Sequence, residues 1–573
     1  MTLVIVESPN KVAHVREYAR AALKTDVECV ATVGHMLQLP AMNSQNGLGI
    51  DETSWEYRLK FEARSKGVVP KIRQYAKLAS SIIVASDGDR EGEAIAYEVR
   101  SILSRDELKR ARRAVFEEIT PDGIARGLAK TLPFNEDLNT AATCRSMLDR
   151  FFGWYGCDLG YKVTGRGQSI GRVRSVAAAI IVQRQREIDE HTESVSYAIG
   201  ATDSPGGQCA TLRDTKGKEI RFETRKQAEE EIGKLAVMNL ASITRIVEET
   251  QGATAAPPPF TMASFGSAAC KLLKISMKSA AELLQHLFEK GHTTYPRTDS
   301  VRAESASIFM ARHVLGEMAN DLVPPEPIVH EDASDGSQGA HECLRPTAVD
   351  EARAPGLTEA EAQAYELVRT RFLASQAAPE LWTRIRSSWP LKNGQRFVHT
   401  QRMVTFDGWR RLWNEASEEV EEGERDESTG KAPETLSLLS VLERKAKKPQ
   451  AYTQASLVAE LEKRGIGRPS TYAATVESLF DPHHTYATEE KPGGKIHPTD
   501  EAKTVVALLE KSLSMLVTPS WTAELEKGLD AVSRGAVKKG AFLSPLKESL
   551  DAALAQAGYA RHNGHLESHG GTR

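Results

Sequence analysis

Cysteines are few, and no pattern links them. The six, Cys29, Cys144, Cys157, Cys209, Cys270 and Cys343, are scattered through 573 residues without a CxxC pair. That spacing argues against zinc ribbons and a disulfide framework and suits a reducing compartment, so the cytoplasm is the expected location. Long apolar runs are missing too. None reaches the ~18 residues of a membrane span, and the opening Leu3-Val-Ile-Val6 is too short for a secretory signal core, so no membrane association is expected. No GxxxxGK[ST] segment occurs, which argues against a nucleotide cofactor. There is no internal repeat. Nor is there a basic excess: 74 Lys and Arg face 78 Asp and Glu, for a net charge of −4. A nucleic-acid-binding chain with this balance must concentrate its cations locally.

Local concentration does occur. Basic clusters lie at Lys109-Arg110-Ala-Arg112-Arg113, from Arg166 to Arg174, and at Lys445-Ala-Lys447-Lys448, while Glu415 to Glu427 is strongly acidic. Taken singly, each basic cluster also fits a solvated face. The remaining composition, 40% hydrophobic and 27% charged, is that of an ordinary globular protein. The length suggests roughly three to five domains.

Residues 1–135 alternate short β-branched runs with helical patterns, which predicts an α/β domain with a parallel sheet and buried strands at Leu3–Val6 and Ile82–Ala85. Residues 136–192 read as helical and arginine-rich. Residues 193–254 and 361–444 read as two parts of one β-rich unit, interrupted by a helical insertion at 255–360 that opens with Pro257-Pro-Pro259. A second helical part covers 445–558, the acidic stretch 415–435 reads as a mobile loop, and 559–573 as a disordered tail. In that tail His562, His565 and His569 offer at most a weak metal site.

Two strings carry chemistry on their own residues. Gly291-His-Thr-Thr-Tyr295-Pro-Arg297-Thr-Asp-Ser300 places a phenol beside a fixed cation. Pro296 biases Tyr295 toward an extended backbone. A free tyrosine has a pKa of ~10, so a nucleophilic phenol needs a neighbouring charge such as Arg297, which can also grip two phosphate oxygens. In Asp87-Gly-Asp89-Arg90-Glu91-Gly-Glu93 a strand delivers Asp87 at its C-terminal end, with Asp89 and Glu91 at spacings of two. Such carboxylates suit Mg²⁺, although an acidic helix N-terminus explains them as well. Glu7 follows the first strand, and adjacent parallel strands would set it beside Asp87, where crowding raises its pKa toward proton exchange.

The string VESPNK, with Glu7 and Lys11, together with DGDREGEAIA resembles a Toprim domain, and TYPRTDS resembles the active-site motif of type IA DNA topoisomerases. Further strings occur in that family's order. The segment Ala142-Thr-Cys-Arg145-Ser146-Met-Leu-Asp149-Arg150-Phe-Phe-Gly-Trp154-Tyr155 resembles its helix for single-stranded DNA, with Ser146 in place of a usual second arginine. Ser169-Ile-Gly171-Arg172-Val-Arg174-Ser resembles its GRVQS element, with Arg174 replacing glutamine. Gly339-Ala-His341-Glu-Cys-Leu-Arg345-Pro-Thr resembles AHEAIRPT, Gly465-Ile-Gly-Arg468-Pro-Ser470-Thr471-Tyr472 resembles GIGRPSTY, and Thr32-Val-Gly-His35-Met-Leu-Gln38 resembles SxGHxxD.

The resemblance implies a multidomain α/β plus α and β fold. A Toprim domain, a helical domain carrying the tyrosine, a second helical domain in two parts and a β-rich arch would form a ring. It implies an ATP-independent enzyme, acting as a monomer on single-stranded segments of negatively supercoiled DNA in the nucleoid. Tyr295 would cleave one strand as a 5′-phosphotyrosine, Arg297 and His341 would stand at the scissile phosphate, and Glu7 would exchange a proton with help from Lys11. Mg²⁺ would sit on Glu7, Asp87, Asp89 and Glu91. DNA contacts would come from His35, Arg145, Ser146, Asp149, Trp154, Ser169, Arg172, Arg174, Arg345, Arg468, Ser470 and Thr471. The strings lie nearer the topoisomerase I branch than topoisomerase III, without the zinc-ribbon tail. A topoisomerase III-like decatenase stays open, as does a Toprim primase or nuclease.

Overall fold

The β-branched run Thr2–Val6 is buried along its whole length, as expected of a central parallel strand covered on both faces. In the computed structural model of the protein it lies between Val27–Ala31 and Ser81–Ala85, with Ala111–Arg113 completing a parallel four-stranded sheet. The structure describes all residues except 41–47, 58, 333–340, 414–426, 429, 563–564 and 569–573. Strand alternation divides the core. Leu3, Ile5, Ile82 and Val84 meet the helices Val68–Leu78 and Arg90–Ile102. Val4, Val6, Ile83 and Ala85 meet Val12–Leu23 and Pro121–Ala129, and this second face also takes up Phe288 and Tyr295 from far along the chain.

The two expected β-rich pieces do form one sheet. Its order is Leu438–Lys445, Val195–Thr202, Ala210–Arg213, Arg396–Phe406, Glu380–Pro390 and Ile246–Thr254, so strands from both sides of the insertion interleave. Most of the expected mobile loop at 415–435 lies outside the described residues.

The insertion is helical, with Met262–Leu272, Met277–Glu289, Ser305–Met318 and Glu359–Ser375 packed together. Its end differs from the expected boundary at 360. Glu359–Ser375 starts on a Thr358–Glu361 capping box and packs on Met277–Glu289, so it belongs to the tyrosine-bearing unit. The arch resumes only at Glu380.

The two-part helical unit also forms. Glu136–Thr164 packs on Pro519–Ser533 and Lys539–Gln556, while Arg172–Asp189 packs on Asp500–Ser512 and Tyr472–Ser478. The expected disorder from 559 is corrected in part. Tyr559–His562 and His565–Ser568 pair as a hairpin that buries Leu566. Arg561 anchors it, donating to Glu52 at 2.6 Å and lying over the Phe151 and Tyr155 rings. His569 lies outside the described residues, and His565 packs on Trp154. All six cysteines are free, and no described helix is long and apolar enough to cross a membrane.

Candidate active site

The register Val6↔Ala85 ends two adjacent parallel strands together, so Glu7 and Asp87 emerge at the same C-terminal sheet edge. After Glu7, Ser8 caps a short turn, Pro9–Lys11, that swings the Lys11 amine back to Asp87. Lys11 is buried and also lies over the Phe288 ring, 4.7 Å from its centre. Asn10 donates to Glu289 at 2.7 Å, which ties the same turn to the helix preceding the tyrosine segment. Two side chains from one turn thus fasten the Toprim-like sheet to the insertion.

Asp89 divides its two oxygens. One accepts from the Gly92 N–H at 2.8 Å and caps Arg90–Ile102; the other accepts from the Tyr295 hydroxyl at 2.8 Å and lies 3.5 Å from the Arg297 guanidinium. The tyrosine segment is irregular, not helical, with an isolated bridge between Thr293 and Pro346. The Tyr295 N–H donates to the Glu117 carbonyl, and Thr294 exchanges hydrogen bonds with Cys343 and Arg345. Tyr295 is 2% exposed, edge-on to Phe288 and 4.6 Å from the His341 ring centre. Two glycines make the closure possible. A Cβ on Gly88 would lie 2.7 Å from the His341 ring, and one on Gly291, at φ +81°, would lie 2.4 Å from the Ile119 carbonyl.

Electrostatics separate the roles. Burial, then the Asp87 charge, raises the Glu7 carboxyl to about 7 against the pull of Lys11, and its Oε2 has no hydrogen-bond partner. It can hold or release a proton near neutrality. Burial tends to raise Asp89, but Arg297, the Gly92 N–H and the Tyr295 hydroxyl keep it below its ordinary value. For Tyr295 the outcome corrects the simple expectation. Burial and the charges of Asp89 and Asp87 push the phenol well above 10, outweighing Arg297. In this closed arrangement the phenol keeps its proton and donates it to Asp89, while Arg297 serves chiefly to neutralise the carboxylates. Burial lowers His341, which is neutral near pH 7. Neither of its ring nitrogens makes a hydrogen bond of normal geometry, although the Gly88 backbone is close.

The four expected metal ligands offer only carboxylate oxygens, the donors Mg²⁺ prefers, and Glu7 leaves one oxygen free. They do not yet converge: no three of them bring ligand atoms within 4.8 Å of one another. Glu91 is turned aside, bonded to His35 at 3.1 Å and 3.8 Å from Arg145. Its neighbours keep it below the ordinary carboxylate range against burial; His35 in turn is raised to about 10 by Glu91 and Glu98, also against burial. Among the described residues the convergent acidic trio is instead Glu117, Glu304 and Glu342, beside Arg345.

The expected DNA contacts divide into three groups. His35, Ser146 and Asp149 line one cleft of about 620 Å³ together with Glu91 and Arg150, and Arg145 borders it through its ion pairs to Glu91 and Asp149. Arg172, Arg468 and Arg345 are committed to carboxylates. Arg172 pairs with Glu526 at 2.8 Å and Asp149 at 3.0 Å, Arg468 with Asp530, and Arg345 with Glu342 at 2.6 Å. Thr471 caps the turn holding Arg468, with Ser470 half-buried beside it. The third group lies elsewhere. Trp154 faces the C-terminal hairpin on the far side of its helix. Arg174 is not among the residues lining that cleft: it stacks 4.3 Å over Tyr486 and donates to Ser169 and the His484 carbonyl.

Sequence reasoning missed several supports. Arg113, counted above in a basic cluster, is buried, pairs with Glu93 at 2.9 Å and donates to the Asp87 carbonyl at 2.6 Å. Arg90 pairs with Asp530, joining the acidic turn to the distal helical part. Glu98 holds His35 at 2.7 Å and the Met36 N–H at 2.6 Å. Its spacing of seven from Glu91 puts both acids on one helix face, a signal the sequence did contain.

The sequence profile of the DNA topoisomerase family matches residues 133–544, and that of the Toprim domain matches residues 2–119. The chain belongs to the type IA DNA topoisomerases. As a member of that family it is 30% identical to DNA topoisomerase 1 of Escherichia coli over 96% of its own length and 66% of that protein's. It thus spans just under two thirds of that relative. A plasmid DNA topoisomerase I of Xylella fastidiosa is 29% identical over 97% of this chain and 84% of its own. Full-length topoisomerase I of Thermotoga maritima matches in three dimensions with a TM-score of 0.77 at 29% identity, covering 96% of this type IA chain and 90% of that one.

Proposed function

We propose that this type IA topoisomerase cleaves one DNA strand through Tyr295, forms a 5′-phosphotyrosine, passes a strand and religates, relaxing negatively supercoiled DNA without ATP. The observation carrying this reading is the contact of the Tyr295 hydroxyl with Asp89 on the Toprim sheet edge, with Arg297 and Glu7 in the same buried pocket. The three relatives reported above carry the name topoisomerase I, which favours relaxation over decatenation.

Asp89 is the acceptor nearest the phenolic proton, so it orients the hydroxyl until a phosphate arrives. It takes that proton as the phenolic oxygen attacks phosphorus, and returns it when religation frees the tyrosine. Arg297 then faces the charge growing on the phosphoryl oxygens. Glu7, ionising near neutrality, is placed to give a proton to the departing 3′ oxygen and to recover it on religation. Asp87, Asp89, Glu91 and Glu7 would hold Mg²⁺, which would supply a positive charge for positioning the broken end. Because Tyr295 is almost fully buried, DNA gains access only when the insertion lifts from the sheet edge. Single-stranded segments, a monomeric enzyme and a cytoplasmic, nucleoid setting complete the reading.

Relaxation of negatively supercoiled plasmid with Mg²⁺, with and without ATP, tests it. Equal relaxation in both is expected. No relaxation, or a requirement for ATP, would overturn it.

A further inference from the structure

Five of the family-like cations and acids belong to one chain of alternating charge. It runs Glu98, His35, Glu91, Arg145, Asp149, Arg172 and Glu526. Its links are unequal. At one end Arg172 and Glu526 meet at 2.8 Å with side chains 0% and 1% exposed. At the other, Glu98 fixes His35 at 2.7 Å. Between them Arg145 sits 3.8 Å from Glu91 and 3.7 Å from Asp149, whose side chains are 35% and 45% exposed. Long, wetted pairs of this kind are weak and exchange easily. They also border the cleft in which Ser146, Asp149 and His35 stand.

This arrangement leaves Glu91 out of register with its expected partners. Asp87 and Asp89 stay in the pocket, while the Glu91 carboxylate is drawn to His35 and Arg145. A guanidinium prefers a phosphate it can grip with two N–H groups to a carboxylate held at 3.8 Å.

We propose that Arg145 is an exchangeable counter-charge: in the free protein it helps hold Glu91 away from Asp87 and Asp89, and a phosphate of single-stranded DNA in the cleft takes Arg145 over and releases Glu91 to the divalent cation. DNA and metal then bind cooperatively, and by linkage each strengthens the other by the same factor. Arg145 and His35 are positioning residues in this scheme, acting through Glu91. The proposal rests on the reading that these carboxylates hold a divalent cation and that the cleft takes single strands.

The test reads Mn²⁺ binding to the full-length protein by electron paramagnetic resonance, without turnover. Arg145→Gln is expected to tighten DNA-free Mn²⁺ binding by about fivefold or more, and His35→Gln to act in the same direction. In a Glu91→Gln background, Arg145→Gln should change nothing. A short oligothymidylate should tighten Mn²⁺ binding to the parent more than to Arg145→Gln. Unchanged affinity in Arg145→Gln, or equal tightening with and without Glu91, would overturn the proposal. If Asp87→Ala combined with Asp89→Ala keeps the Mn²⁺ site, the underlying metal assignment fails instead, so the two failures are separable.

Discussion

The pocket around Tyr295 and the interlock around Glu526 use the same residue types to opposite ends. In the pocket, Glu7 is half-buried, with one buried oxygen unpartnered, and is raised to about 7. In the interlock, Arg172 leads Arg145 and Arg468 in drawing Glu526, itself buried, down to about 2 against desolvation. Matched charges there hold helices from distant parts of the chain together. Mismatched charges in the pocket are free to move protons. Each acid leaves one buried oxygen without a hydrogen-bond partner, so the difference lies in the surrounding charge: carboxylates crowd Glu7, and guanidinium groups surround Glu526.

The sharpest way to break this comparison is Glu7→Gln. If the mismatch serves chemistry, cleavage and relaxation should fall by ~10²–10⁴ while the thermal midpoint holds or rises. A folded Glu7 raised above 4.5 favours the protonated form, so it adds stability below about 4.5 and loses it as pH rises toward 7. Loss of stability at neutral pH, with activity retained, would reverse the assignment.

Arg172→Ala is the counterpart, expected to cost about 3–5 kcal/mol by leaving Glu526 buried without its 2.8 Å partner, with the longer 3.9 Å pair to Arg90 remaining. Chemical denaturation would measure it, and a cost near zero would show that the interlock is not structural. The acid limb sharpens the contrast. Glu526 adds stability above its unfolded value near 4.5 and loses it as pH falls through about 2, so Glu526→Gln should flatten the decline between those values. An identical acid profile in the variant would count against the pair.

The smallest effect is expected at Arg174. Its guanidinium is already committed to Tyr486, Ser169 and His484. Arg174→Gln should cost about 1 kcal/mol of stability and leave the salt dependence of oligonucleotide binding unchanged. A slope shallower by ~0.7 would mean that it contacts a phosphate after all.

Local spacing made much of the molecule legible. TYPRTDS, the DxDxE turn and the strand ends at Val6 and Ala85 lie in short windows, and they do meet at one sheet edge. The interrupted arch followed from two strand-rich pieces flanking a proline-marked insertion. What sequence withheld depends on partners far along the chain. The acceptor of the Tyr295 proton lies 206 residues away, and the fate of Arg174 is set by His484, 310 residues away. Arg113 looked like one more surface cation because only the folded sheet sets it under Asp87. The C-terminal hairpin looked disordered because its anchors, Glu52, Phe151 and Tyr155, come from elsewhere in the sequence.

The most direct test of the central claim is to trap the covalent complex. A single-stranded oligonucleotide labelled at its 3′ end would be incubated with the protein and Mg²⁺, quenched with denaturant, and the linked peptide mapped. The account predicts the label on the peptide containing Tyr295, joined through a 5′-phosphate, and no adduct from Tyr295→Phe, whose binding to the oligonucleotide is otherwise retained. An adduct that survives Tyr295→Phe, or one joined through a 3′-phosphate, would contradict it.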